Sequence, residues 1–369
     1  MIPECIEILE GSTRLLVPKG HSHGGPGKRT GDVFFNSQMA FNRDVSVMLL
    51  SSLPYVVDVA DAMTATGSRA VRIANEVPHT QVVANDLEEK SRWFIEANMA
   101  LNSVKNCRAN IQNLSCLLAE QSFDYVDLDP FGSPVPFLQA GIRGCRRNGI
   151  LAITATDTAP LAGAHRAKCE RRYQALPLRG PMCHESGLRI LMGSVARELA
   201  RFDRGMEPLL SFYADHYFRT YIRVKEGAVS ADDTLSQLGF YSYDPGSLER
   251  GFSQTRDHQH VYGPAWGGRL HDLTLLRSMH SKGLADGRRV EKYLDLWRHE
   301  LPSPLLYEVG ELSSLLKVPS PRLEVLLDAL RTHGMAEKSH NTPTSFRTDL
   351  PLDLIKDLYI QASGRKSWY

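Results

Sequence analysis

Several things are scarce or missing in this sequence. Its six cysteines (Cys5, Cys107, Cys116, Cys145, Cys169 and Cys183) include no C-x-x-C pair, and none follows Cys183. That spacing excludes a disulfide framework and a four-cysteine zinc ribbon, and His258 with His260 are too few ligands for a metal, so none is expected. No stretch approaches the roughly 18 uninterrupted apolar residues that a membrane span needs. The N-terminus has no basic-then-apolar leader, which predicts a cytoplasmic protein without a membrane partner. The dinucleotide fingerprint G-x-G-x-x-G is absent as well, which argues against NAD and FAD. Charge of one sign is not in excess: the formal net charge is +1, so total charge does not announce a nucleic-acid partner.

What is present is an ordinary globular composition, 42% hydrophobic and 23% charged over 369 residues, long enough for two domains and a substantial core. The most informative stretch is Phe123-Asp-Tyr-Val-Asp-Leu-Asp129-Pro130-Phe131-Gly-Ser133. It reads as an acidic, largely apolar strand running into a proline turn. In an open α/β sheet ligands lie outside the carboxyl ends of the strands, so Asp129 stands where chemistry happens. Pro130 fixes its own φ and pushes Asp129 toward an extended conformation. The Asp129 carboxylate and the Pro130 carbonyl then form a rigid pair of acceptors suited to an exocyclic NH2 group on a flat base, with Phe131 as a stacking face.

Other strands follow the same logic. Tyr55 to Ala60 is a buried-strand pattern leading through Asp61 to Gly67 and a helix from Ala70 to Glu76. A strand, an acid, small residues and a close-approach glycine admit a nucleotide-like ligand to the switch point of a doubly wound sheet. The next strand, Gln81 to Asp86, ends in an acid about twenty residues after Gly67, the spacing at which a carboxylate reaches ribose hydroxyls. A third strand near Ala109 to Leu114 places Asn113 and Leu114 against an adenine ring. Phe123 to Asp129 is the fourth and Gly149 to Thr156 the fifth. Val45 to Leu50 reads as a helix, and Arg43 at its entrance can pair bidentately with a ligand carboxylate.

Taken in order, Val33-Phe-Phe-Asn36, Asn42-Arg-Asp44, Asp61 with Gly67 and Arg69, Ala84-Asn-Asp86, Asp127-Leu-Asp-Pro-Phe-Gly-Ser133, Thr156-Asp-Thr158 and Cys183-His-Glu-x-Gly-Leu-Arg189 resemble the tRNA (guanine-26) dimethyltransferase family. The resemblance covers most of residues 30 to 270. It implies S-adenosylmethionine as cofactor, tRNA as partner, and transfer of one or two methyl groups to the exocyclic amine of guanine at the junction of the D and anticodon stems. Position by position it implies that Arg43, Arg69 and Asp86 bind the cofactor with Asn113 and Leu114 nearby, that Asp129 is catalytic, and that Phe131 meets the base. Two other readings of the same residues stay open: an adenine amino-group methyltransferase, whose Asp-Pro-Pro-aromatic turn uses similar physics, and a non-catalytic nucleic-acid-binding protein.

The expected fold is α/β, a doubly wound Rossmann-like methyltransferase sheet over residues 1–229, followed by a smaller C-terminal α+β domain over 230–369 that binds tRNA. Leu188 to Leu199 reads as an amphipathic helix covering the sheet, and Leu209 to Val224 as a last strand. Between Arg143 and Arg179 the local net charge is +6, enough to hold phosphates. The Gly-rich loop from His21 to Lys28 is read chiefly as a connection. Residues 303–350 read as helix, helix and β-wing, a winged-helix-like segment that either docks on nucleic acid or packs internally. The tail from Arg365 to Tyr369 is a further candidate RNA contact. A monomer is assumed.

Overall fold

A computed structural model describes residues 3–23, 33–256 and 261–364. Most of the Gly-rich loop, His258 with His260, and the tail from Arg365 lie outside the described residues. The core is a seven-stranded sheet of β1 (Asp58–Asp61), β2 (Gln81–Asp86), β3 (Cys107–Ile111), β4 (Phe123–Leu128), β5 (Cys145–Ala155), β6 (Arg204–Ala214) and β7 (Tyr217–Glu226). The strand order is β3-β2-β1-β4-β5-β7-β6. The first five are parallel; β7 runs antiparallel to them, and β6, antiparallel to β7, runs in their direction again. After β1 the chain winds outward to β3 and then returns to place β4 on the other side of β1. The crevice for a ligand therefore opens at the carboxyl ends of β1 and β4, where the register sets Asp61 beside Asp127.

Several expected boundaries shift, each for a local reason. The third strand stops at Ile111, because the Asn113 side chain accepts from the Ser115 amide at 2.9 Å and starts the helix Leu114–Glu120. Asparagine favours that capping role. The fifth strand begins at Cys145, with a register irregularity against β4. The single last strand is a hairpin, β6 and β7. Pro208 accompanies a shift of register in β6, and Asp215 takes φ +51 in the tight turn. No Asn-Gly or Asp-Gly pair advertised that turn.

The helix Cys183–Ala200 is not amphipathic. Ser186, Leu188, Arg189, Ile190, Leu191 and Met192 are all buried in succession, since β6 lies on one side and the strand Val261–Trp266 on another. At Gly193 an added Cβ would lie 3.3 Å from Ala265 Cα.

The C-terminal half is not a loose appendage. One continuous apolar core joins Leu191, Val195 and Phe218 to Tyr241, Leu306, Leu326 and Phe346. A second core seats Val290, Leu294 and Trp297 of the helix Gly287–His299 against Phe41 and Phe212. Fully burying side chains of this size stabilises by about 1.5–3 kcal/mol each. The helix Ala228–Leu235 spans the expected boundary and packs back on the sheet, where Thr234 Oγ1 accepts from the Met206 amide at 2.9 Å.

The expected helix, helix and wing are present as Val309–Leu316, Leu323–Arg331, Ala336–Lys338 and Ser345–Thr348. The second helix buries Leu326, Leu327 and Leu330, while Val325 is exposed beside Glu324 and Asp328. No helix among the described residues is long and apolar enough to cross a membrane.

Candidate active site at the carboxyl edge of the sheet

A cavity of 420 Å³ opens at the switch point. Arg43, Asp61, Arg69, Asp86, Asn113, Leu114, Asp129, Pro130 and Phe131 all line it, together with Phe34, Leu87 and His216. Gly67 does not. It sits at φ +76 before the helix Ser68–Glu76, and a Cβ there would come 3.1 Å from Ile95 Cα. Its close approach is thus to the helix Glu89–Leu101, and its effect on a ligand is to let the loop Thr64–Thr66 curl under the cavity.

The charged floor of the site is built by three strands and two helices. Asp127 is fully buried in β4 and accepts two bonds from Arg219 of β7, at 2.9 and 2.6 Å, and one from the Tyr125 hydroxyl at 2.7 Å. Burial drives its carboxyl upward, but Arg219 and Arg69 outweigh that and hold it below the ordinary range. Asp61, beside it in β1, accepts from Thr64 Oγ1 at 2.6 Å. Burial pushes its carboxyl up to about 7, with Arg69 opposing and the Asp127 carboxylate reinforcing. Three carboxylates thus share two guanidinium groups.

Arg69 is the hub. It donates to Asn42 Oδ1 at 2.7 Å, to Ser46 Oγ at 2.8 Å and to Asp129 Oδ2. Asp129 Oδ1 takes no hydrogen bond from the described residues and is the oxygen left for a ligand. The turn behind it is tied down: the Gly132 amide donates to Thr156 Oγ1 at 2.7 Å and the Thr156 amide returns a bond to the Gly132 carbonyl at 3.0 Å. Phe131 stands 60% exposed at the mouth, edge-on to Phe34 with ring centroids 4.6 Å apart.

Asp86 Oδ2 accepts from the Ala65 amide at 2.7 Å and Oδ1 from the Glu88 amide at 3.0 Å. Each oxygen keeps a second lone pair for a ligand hydroxyl. Arg43 already has a bidentate partner: Glu10 of the N-terminal hairpin (Cys5–Glu10 with Thr13–Pro18) accepts at 2.7 and 2.6 Å. That guanidinium lies over the Phe35 ring at 4.8 Å, so it meets the cavity as a neutralised pair. Asn42, Arg43 and Asp44 point three ways from one helix turn, to Arg69, to Glu10 and to Arg72.

Sequence reasoning missed Arg219, Asp127, Ser46 and His216. A signal existed for the first two: an acid inside an apolar strand needs a buried cation, and the apolar strand β7 carries Arg219 and Arg223. The basic cluster expected between Arg143 and Arg179 is split. Arg146 pairs with Asp58 and Asp124 at the amino end of the sheet, at 2.6 and 3.0 Å, whereas Arg166 to Arg179 follow the carboxyl end of β5, a strand roughly 30 Å long. The Cys183–Arg189 motif is remote from the cavity wall. Glu185 bonds Arg189 at 2.6 Å and Arg347 at 2.8 Å, joining the two halves of the chain.

His271, Glu300 and His340 bring potential metal-ligating atoms within 4.8 Å of one another. Glu300, however, already accepts from Arg347 at 2.9 Å, from His340 Nδ1 at 2.6 Å and from Ser339. A cation there would have to compete with a buried guanidinium.

Comparison with known proteins agrees with this geometry. Residues 11–360 match the model of a family described as N2,N2-dimethylguanosine tRNA methyltransferase. A tRNA (guanine(26)-N(2))-dimethyltransferase of Pyrococcus horikoshii is 38% identical over 95% of this chain and 97% of its own. Its counterpart in Thermococcus kodakarensis is 40% identical over 96% and 99%. A solved structure of Trm1 from Pyrococcus horikoshii in complex with S-adenosyl-L-methionine superposes with a TM-score of 0.89 at 35% identity, covering 96% of this chain and 99% of that one. With near-complete coverage in each comparison, the chain belongs to the N2,N2-dimethylguanosine tRNA methyltransferase family.

Proposed function

We propose that this protein methylates the exocyclic N2 amine of guanine-26 in tRNA, once or twice, using S-adenosylmethionine. The observation that carries the reading is the pairing of Asp129 Oδ1 with an exposed aromatic, Phe131, at the mouth of a cavity whose floor holds surplus negative charge. The donor set fits the cofactor. Asp86 keeps lone pairs for a ribose diol, Leu87 and Leu114 offer apolar walls for a purine, and the surplus carboxylate suits a cationic ligand. The bound cofactor supplies a methyl group already activated on a sulfonium.

The protein's own residues do the rest. Guanine's amine is a poor nucleophile because its lone pair is delocalised into the ring. Asp129 accepts one N–H and the Pro130 carbonyl the other, which localises that lone pair and aims it into the cavity. Asp129 then takes up the displaced proton as general base. Arg69 fixes one oxygen of Asp129, so the other has a defined direction, and positioning of this kind supplies much of the rate. Phe131 replaces the stacking that the base loses on leaving the helix, a cost of a few kcal/mol. The reading assumes a monomer, working in the cytoplasm.

Asp129→Ala is expected to lower methyl transfer by about 10²–10⁴-fold with cofactor affinity retained. The test uses labelled S-adenosylmethionine and total tRNA, digested to nucleosides. Label in N2-methylated guanosine supports the reading. Label in methyladenosine would transfer the site to adenine chemistry, and RNA binding without label would leave a non-catalytic protein.

A further inference from the structure

The helix Arg166–Tyr173 has two unlike faces. Inward, Tyr173 is fully buried and its hydroxyl donates to Asp157 Oδ1 at 2.6 Å while accepting from Ser133 Oγ at 2.9 Å. Asp157 also takes Arg172 on its other oxygen at 2.9 Å. Ser133 belongs to the Asp129–Ser133 turn, so this helix is bolted to the catalytic turn by buried hydrogen bonds. Outward, the helix is basic. Arg166 is matched by Glu170 at 3.0 Å and Arg172 by Asp157. Lys168 and Arg171 have no acidic partner among the described residues. Nor has Arg179, which packs beside the segment leading into the helix, its Cβ 3.1 Å from where a Gly163 Cβ would stand. Arg171 and Arg179 are exposed and Lys168 half-buried.

We infer that Lys168, Arg171 and Arg179 grip backbone phosphates of the RNA strand that flanks the everted guanine. The inference rests on the tRNA reading above and adds where the strand lies. A base inserted beside Phe131 leaves its flanking phosphates outside the cavity. Lys168 and Arg171 are on the helix whose inner face fixes that turn through Tyr173 and Ser133, and Arg179 packs beside the segment that leads into it. Arg146, at the amino end of the sheet, is already paired to Asp58 and Asp124. The outward face of the helix Leu323–Arg331 offers Glu324 and Asp328 instead of free cations.

Phosphate contacts of this kind carry no base information and respond to salt. Replacing all three residues by alanine is expected to raise the KM for tRNA by at least 10-fold at moderate salt. It should reduce the slope of log affinity against log salt by about 2–3. Turnover at saturating tRNA and affinity for S-adenosylmethionine should change less than twofold. The charge-keeping set Lys168→Arg, Arg171→Lys and Arg179→Lys should retain the wild-type slope, which separates charge from folding. A triple alanine variant with unchanged KM and salt slope, in an enzyme that methylates tRNA, overturns this surface and leaves the proposed activity standing. A fall in turnover alone overturns it too. A wild-type protein that methylates no tRNA overturns both.

Discussion

Two buried charge clusters organise this molecule, and they differ by one carboxylate. At the cavity, Asp61, Asp127 and Asp129 share Arg69 and Arg219. At the joint between the halves, Glu185 and Glu300 are matched by Arg189 and Arg347. In the matched cluster burial is overcome: Arg347 and Arg189 bring Glu185 down to about 2, and Arg347 with His340 holds Glu300 well below the ordinary range. In the unmatched one burial prevails at Asp61, with the Asp127 and Asp129 carboxylates adding to it, and its carboxyl is pushed up to about 7. A closed set of charges suits a permanent joint. An open set is what a site needs if a cationic ligand is to complete it.

The largest test of the contrast is Arg347→Ala. It leaves two buried carboxylates short of a partner and is expected to cost about 3–5 kcal/mol of stability, read from urea denaturation, while the folded fraction keeps its cofactor affinity. Phe131→Ala should do the reverse. With a largely exposed ring removed, the urea midpoint should stay put while kcat/KM for tRNA falls by about 1–3 kcal/mol of lost stacking. Equal damage to stability from both changes would erase the division into joint and site.

The smallest effect separates the clusters by the sign of their pH response. Asp61 is raised in the folded protein, so its contribution is fully present below the unfolded value of 3.8 and is lost as pH rises toward about 7. Glu185 is depressed, so its contribution is present above 4.5 and is lost as pH falls toward about 2. Asp61→Asn should therefore flatten the decline of the urea midpoint between pH 4 and 7, and leave the acid limb unchanged. A wild-type midpoint that rises over that window, or a variant with the same slope, would contradict the assignment.

Much of this was legible in the sequence because β1 and β2 end at an acid and β4 is followed at once by one, Asp129, and that pattern fixes both the switch point and the cavity. The helix, helix and wing near the C-terminus were equally clear from their order and their apolar positions. Contacts that leap across the chain were not legible. Nothing near Arg43 announces Glu10, and Asp127 calls for a buried cation without telling which distant arginine supplies it. Leu188 to Leu199 looked amphipathic because nothing in the sequence shows that a polar residue such as Arg189 is buried, donating to carbonyls at Trp266 and Gly268. The basic stretch from Arg143 looked continuous because a sequence does not display the length of the strand within it.

Glu10 carries a consequence that reaches the first strand of the chain. It serves Arg43 and also Arg72, which lies beneath the helix Ala40–Ser51. The hairpin that carries it is therefore a counter-ion delivered from outside the sheet. Trimming those opening residues would strand a guanidinium on the cavity wall without its anion, and the pocket's charge would turn more positive just where a cation has to enter.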